Sequence, residues 1–291
     1  MSAQRPTASR PKSEKRLGQL VSDYAEASGL GVRRVRQRVS AMVFLGALQR
    51  VAEEDSPARL LIKGGMACEL RFRDRARTTR DLDAIFRGSL PQLLADLDSA
   101  FATPYSGFSF THAEPEPIGE VGAHRFDVKL RYEGRGWGSL RVEVSPPEGA
   151  THEPESLPAL SVSEFGLAGP TVVSCLSLRF QIAQKIHACT ERFEERENER
   201  AHDLIDLQLM GELIDDLRYV ERACKEVFAL RRTHRWAPTL TIEPGARATY
   251  PALAAELAFP VTDVDEAVAR VQALIDAIHA AGVGGLGDPD A

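Results

Sequence analysis

Two aspartates one residue apart, Asp81 and Asp83 in the run DLDAIF, are the side chains best placed for chemistry in this 291-residue chain. On a β-strand, residues two apart point to one face. A pair of carboxylates arranged that way can ligate one or two Mg²⁺ ions. Leu82, with Ile85 nearby, can anchor such a strand in a core. A lone D-x-D is more often a solvated edge, so its surroundings decide. Upstream lies RLLIK (59–63), a short apolar strand, then Gly64 and Gly65, then a helix beginning near Met66. Without Cβ atoms, phosphate oxygens can approach the backbone N–H groups closely, and a helix N-terminus favours negative charge. Strand, Gly-Gly turn, helix and D-x-D strand together suit a metal-bound nucleotide.

The elements that must hold these residues follow from periodicity. Leu17, Leu20, Val21 and Tyr24 have helical spacing from Arg16 onward; Gly29 and Gly31 break that helix, and a second runs from Val32 to about Glu53. Two helices around a glycine turn suit either a DNA-reading helix-turn-helix or packing against the next domain, and packing is the plainer role. Leu90–Phe101 is an amphipathic helix. Gly107–His112, His124–Tyr132 and Gly138–Val144 read as strands, with Gly134, Gly136 and Gly138 giving the last two a hairpin connection. Ser145–Pro158, rich in Pro, Glu and Gly, reads as a linker or loop. A short strand at Thr171–Ser174 precedes helices over Leu176–Glu195, Glu199–Leu213, Ile214–Ala229 and Val264–Ala281, with 231–260 irregular. The expected fold is α+β: a mixed sheet with helices on one side, followed by a mainly helical C-terminal part. The expected division is a basic tail without fixed structure (1–15), N-terminal helices and core (16–160), a helical domain (161–283) and a flexible tail (284–291).

Composition narrows the function. Net charge is −6, yet the first fifty residues carry ten Lys/Arg against three Asp/Glu, and the remainder 26 against 39. An acidic body argues against indiscriminate polyanion binding and leaves room for local basic patches. The apolar run near Met42–Leu48 falls far short of the roughly 18 residues of a membrane helix. The basic N-terminus leads into no long apolar run, so a secretory signal is not expected. Cys68, Cys175, Cys189 and Cys224 lack paired spacing and read as reduced thiols of a cytoplasmic protein. His187 and His202 have no partners at zinc spacing. There is no Walker motif, nucleophile elbow or kinase signature. Arg71, Arg73, Arg75, Arg77 and Arg80 form either a solvated face or a grip for a triphosphate or RNA backbone. Arg231, Arg232, His234, Arg235 and Trp236 mix charge and aromatics in a way that suits nucleic acid.

The segment 61–88 resembles the AbiEii/AbiGii toxin family of polymerase-β-like nucleotidyltransferases, the toxin components of bacterial abortive-infection and toxin–antitoxin systems. The pattern K-G-G-x-A, then R-x-T-x-D-[IL]-D, is matched by Lys63, Gly64, Gly65, Ala67, Thr79, Asp81 and Asp83. Met66 stands where the family often has Thr, and Gly65 replaces a common Ser, removing a hydroxyl that could touch phosphate. The family's third acid falls on a later strand: SLRVEVSP (139–146) offers Glu143, and Asp127 in RFDVKL competes for the role. A second block, 183–207, matches K-x-x-A and R-x-x-D-x-x-D-L through Lys185, Ala188, Arg200, Asp203, Asp206 and Leu207. The resemblance covers roughly residues 35–215.

The resemblance implies a metal site of Asp81, Asp83 and Glu143, and a nucleotide site of Lys63, Gly64, Gly65, Thr79, Arg80, Arg200 and Asp206. Lys185 would neutralise triphosphate charge, with Asp203 orienting Lys185 or a substrate hydroxyl, or acting as a base. It implies Mg²⁺, or Mn²⁺ in its place, and an NTP substrate. It also implies an RNA acceptor such as the 3′ end of tRNA, whose modification would stop translation and growth. The partner would be a cognate antitoxin that represses transcription or phosphorylates the toxin. Two alternatives stay open: transfer to a protein or small molecule, and a noncatalytic module that binds DNA or a partner.

Overall fold

Period-two alternation along the strands and a second helix buried along most of its length build the first of two units seen in the computed structural model, which describes residues 3–4, 8–52, 58–119, 122–195 and 197–283. That unit comprises Met1–Asp74, Thr78–Pro147 and Pro154–Leu176. In chain order it opens with β1 (Ala3–Gln4), α1 (Glu14–Ser28), α2 (Val32–Val51), β2 (Leu60–Ile62), α3 (Gly64–Phe72), β3 (Asp81–Phe86) and α4 (Leu90–Phe101). It continues with β4 (Phe108–His112), β5 (Glu116–Ile118), β6 (Ala123–Tyr132), β7 (Arg135–Ser145), β8 (Pro154–Pro158), β9 (Gly169–Pro170) and β10 (Val172–Leu176).

One mixed sheet takes eight of these strands, in the order β4-β6-β7-β3-β2-β10-β8, with β5 beside β6. β3 pairs parallel with β7 and antiparallel with β2. Leu82 and Ala84, then Leu140, Val142 and Val144, then Phe126, Val128 and Leu130 turn to one face and join a core with Val39, Val43 and Phe44 of α2. The alternate residues, Asp81, Asp83, Arg141, Glu143, Arg125 and Asp127, therefore share the opposite face.

The β6–β7 turn is tighter than the glycine spacing suggested. Pairing resumes at Arg135 opposite Tyr132, and both turn residues, Glu133 and Gly134, have positive φ (45° and 77°), the geometry of a two-residue hairpin. The helix-turn-helix reading of α1 and α2 gives way: α2 is buried without interruption from Arg38 to Ala47, so it cannot lie in a DNA groove. Its described course ends at Val51, and the expected end near Glu53 lies outside the described residues. Within the first fifteen residues, Ala3–Gln4 pairs with β9, and Ser13 caps α1 through the Arg16 amide.

The second unit, Arg75–Arg77, Glu148–Glu153 and Ser177–Ala291, is helical. Its helices are α5 (Leu178–Thr190), α6 (Ala201–Gly211), α7 (Leu217–Arg231), α8 (Pro244–Glu256) and α9 (Val264–Val283). α5 packs on α6 and α7, and α9 on α6, α7 and α8. α8 corrects the irregular reading of 231–260. Pro244 occupies its first turn, where no N–H is missed, and the helix also tolerates Pro251. β8 corrects the linker reading of 145–158; its prolines are accommodated because it is an edge strand. The expected tail, 284–291, lies outside the described residues.

Candidate active site

In the first unit the site is built around β3. Asp81 and Asp83 are half-buried and alternate with the buried Leu82 and Ala84. β2 hands the chain to α3 through Lys63, whose N–H donates to the Asp83 carbonyl at 2.8 Å. This clamp sets Gly64 against the aspartate. Gly64 has φ +59°, and a Cβ there would overlap Asp83 Oδ2 and stand 2.8 Å from its Cγ. The glycine is thus required twice, by its backbone and by the carboxylate beside it. Gly65 follows, buried in the first turn of α3, where N–H groups lack intrahelical partners and favour anions. Lys63 Nζ donates to Ser145 Oγ at 2.7 Å, crossing from the glycine turn to the end of β7. Buried Thr79 donates its hydroxyl to the Asp81 carbonyl at 3.0 Å, and Gln37 donates to the Arg80 carbonyl at 2.8 Å, fixing the approach to β3.

Register decides what neighbours the pair. Asp83 lies opposite Glu143, and Asp81 opposite Arg141. Glu143 accepts from Arg125 at 2.7 Å, while Asp127 faces Arg141 at 3.5 Å. Glu143 is thus the acid nearest Asp83 in the sheet, and Asp127 lies a strand further out. Burial, then the Glu143 carboxylate, push Asp81 above the usual carboxylate range; Arg141, Arg125 and Arg80 pull it part of the way back. Among the described residues, no three His, Cys, Asp or Glu side chains are gathered as a metal-holding group. What does fit a divalent cation is the pair itself: two carboxylates on one strand face, one with its charged form disfavoured, beside a cradle that a Cβ would fill.

The second unit holds the other predicted cluster. Lys185 on α5 is sandwiched between two carboxylates of α6, 2.6 Å from Asp203 Oδ1 and 2.6 Å from Asp206 Oδ2. Both aspartates are essentially inaccessible. The three-residue spacing puts them on one helix face, as the D-x-x-D pattern requires. Arg200 approaches Asp203 at 3.4 Å, His202 at 3.5 Å, and Arg77 reaches Asp206 at 3.3 Å. Burial is the largest single influence and would raise both acids, but Lys185 together with His202 and Arg200 at Asp203, and with Arg77 at Asp206, exceeds it in sum, and both sit below the usual range. A carboxylate held that low is a poor base, so the geometry suits Asp203 to orienting Lys185 rather than taking a proton. Asp206 Oδ1 is buried with no hydrogen-bond partner among the described residues.

The arginine-rich loop does not act as one patch. Arg71 binds Glu155 at 2.6 Å, Arg73 the Ala159 carbonyl at 3.2 Å, and Arg75 Glu212 at 2.7 Å. With Arg77 on Asp206, only Arg80 of the five remains at the approach to Asp81. In the later basic group, Arg231 pairs with Glu148, and the half-buried Trp236 packs edge-on against Phe228.

Residues 46–274 match the family described as Nucleotidyl transferase AbiEii toxin, Type IV TA system. Among solved structures, MenT4, nucleotidyltransferase toxin Rv2826c from Mycobacterium tuberculosis H37Rv, is similar over 94% of this chain and 98% of its own, at 17% identity and a TM-score of 0.54, a likeness of fold. The Megavirus polyadenylate synthase aligns over 94% of this chain and 51% of its own at 8% identity, with a TM-score of 0.27 too low to bear on the site. No curated protein matches the sequence. The family match spans both the Gly-Gly/D-x-D segment and the Lys185–Asp206 cluster, and the chain belongs to the nucleotidyl transferase AbiEii toxin family of type IV toxin–antitoxin systems.

Proposed function

We propose that this chain transfers a nucleoside monophosphate from an NTP to an RNA acceptor, the 3′ end of tRNA being the foremost candidate, and so inhibits translation and growth. The observation that carries this reading is the Gly64 turn held against the Asp83 carboxylate. It brings a backbone suited to phosphate beside carboxylates suited to a cation. Asp81 and Asp83 would hold Mg²⁺, or Mn²⁺; Glu143, on the neighbouring strand and paired with Arg125, would add its charge without closing a three-carboxylate ligand set. When bound, the ion supplies charge neutralisation at the phosphates and lowers the pKa of the acceptor hydroxyl. Gly64, Gly65 and Lys63 would receive the triphosphate, and Thr79 holds the strand entry in place. Lys185, with Arg200 near it, would add positive charge, oriented by Asp203 and Asp206. The acceptor oxygen forms a bond to the α-phosphorus, the bond to the β-phosphate oxygen breaks with its electron pair, and pyrophosphate leaves. The hydroxyl proton passes to solvent. Most of the rate comes from positioning and charge stabilisation.

The family, a type IV toxin–antitoxin one, implies an antitoxin partner, and the cytoplasm is proposed as the working compartment. The test is incubation of the full chain with each α-labelled NTP, Mg²⁺ and total tRNA. Label on tRNA that disappears with Asp81→Ala supports the reading. Label on protein or a small molecule moves the acceptor, and label on nothing overturns the proposal.

A further inference from the structure

A cavity of about 270 Å³ opens beside Asp81. Arg33, Arg80 and Arg141 line it together with Asp81, Asp127 and Ser139. Neither Gly64, Gly65 nor Asp83 borders it. Arg141 is matched by Asp127 at 3.5 Å. Arg33 and Arg80 are exposed and have no carboxylate within ion-pair distance among the described residues. Three guanidiniums around one space outnumber the two carboxylates, Asp81 and Asp127, that share it, and Arg33 is in an ion pair with neither, which suits a phosphate oxyanion. The volume lies just under the roughly 300–1,000 Å³ of ordinary ligand pockets, so it suits a sugar-phosphate unit better than a whole nucleoside triphosphate.

Nucleotidyl transfer needs two substrates on opposite sides of one phosphorus. If the triphosphate lies on the glycine turn at Asp83, the cavity at Asp81, which the turn does not line, is left for the nucleophile. We infer that this cavity receives the backbone phosphate next to the terminal ribose of that RNA acceptor, with Arg33 as the guanidinium that meets it beside Arg80 and Arg141. Arg33 lies on α2, before residues 46–274 that the family matches. The inference rests on the nucleotidyl-transfer reading for the direction of approach, but its binding step is separable from it.

The experiment measures equilibrium binding of a labelled single-stranded RNA with a free 3′-hydroxyl, and separately of a fluorescent NTP with Mg²⁺, to the full chain. Arg33→Ala is expected to weaken RNA binding about tenfold and to lower the slope of log affinity against log salt by about one. NTP binding should stay unchanged, and Arg33→Lys should recover part of the loss. Arg33 is exposed, so the substitution leaves the core intact. Unchanged RNA binding overturns the inference, as does a loss confined to the NTP. Arg33-dependent RNA binding by a parent chain that transfers to no acceptor sinks the nucleotidyl-transfer reading while supporting the RNA site.

Discussion

A methyl group at position 64 and the Asp83 carboxylate compete for one volume: a Cβ on Gly64 overlaps Oδ2 and lies 2.8 Å from Cγ. Gly64→Ala should therefore displace the carboxylate. Displacements of about 1 Å near reacting groups lower rates on the order of 10²-fold. Strain from φ +59° adds about 1–2 kcal/mol of destabilisation, a melting shift of a few degrees. Transfer at the parental rate by the Gly64→Ala chain rules out the proposed alignment of turn and acid.

Asp81 separates activity from stability. Its charged form is disfavoured by burial and by Glu143. An acid whose folded pKa is raised contributes less stability as pH climbs past its unfolded value of 3.8. Asp81→Asn should abolish transfer while leaving the melting temperature at neutral pH equal or higher. Mg²⁺ should raise the melting temperature of the parent and not of the variant. A variant that melts several degrees lower means that the carboxylate serves structure.

Lys185 should behave in the opposite way. Lys185→Met leaves two carboxylates, 1% and 0% exposed, without the ammonium between them. Breaking a buried pair costs about 3–5 kcal/mol, and here the lower end is expected because Arg77 and Arg200 remain. Adding Asp203→Asn and Asp206→Asn should restore most of that stability in urea titrations, and none of the transfer. A single variant as stable as the parent contradicts the packing described.

Acid should loosen the helical unit before it protonates the paired carboxylates. Burial first, with Arg231 and His234, drives His187 down to about 3, and burial drives His202 to about 4, against an ordinary 6.5. Both rings stay neutral in the folded chain while the unfolded chain takes up protons below 6.5. Stability is thus lost as pH falls from 6.5 toward 4. His187, almost wholly inaccessible, contributes up to about 1.4 kcal/mol per pH unit. His202, with a side chain 35% exposed, contributes less. Melting temperature should fall between pH 7 and 5, and His187→Gln should flatten the profile; a parental profile already flat contradicts this.

The sequence made β3, β6 and β7 legible because each has one buried face, which writes period-two alternation into the residues. It exposed the Gly-Gly/D-x-D unit because the chemistry there depends on residues close in sequence. α8 was hidden by Pro251, which elsewhere signals a break. The fate of the arginine loop was hidden for another reason: Arg71 finds Glu155 and Arg75 finds Glu212, partners 84 and 137 positions away. No local pattern announces such pairs. Arg141, on the cavity wall, was within reach, since it stands two positions before Glu143 on the same strand face. Arg33 was not, because a helix arginine beside three others carries no mark of the one that borders the cavity.

β3 stands midway along the sheet, with three strands to either side of it in the hydrogen-bonded path. The amide protons of Leu82 and Ala84 should then be among the last to exchange with deuterium, surrendered only when the whole unit opens. An antitoxin cannot peel such a strand away from a native toxin. On the proposed mechanism, silencing would come by covering the acids, by altering a nearby group or by keeping substrate out, each reversible without refolding.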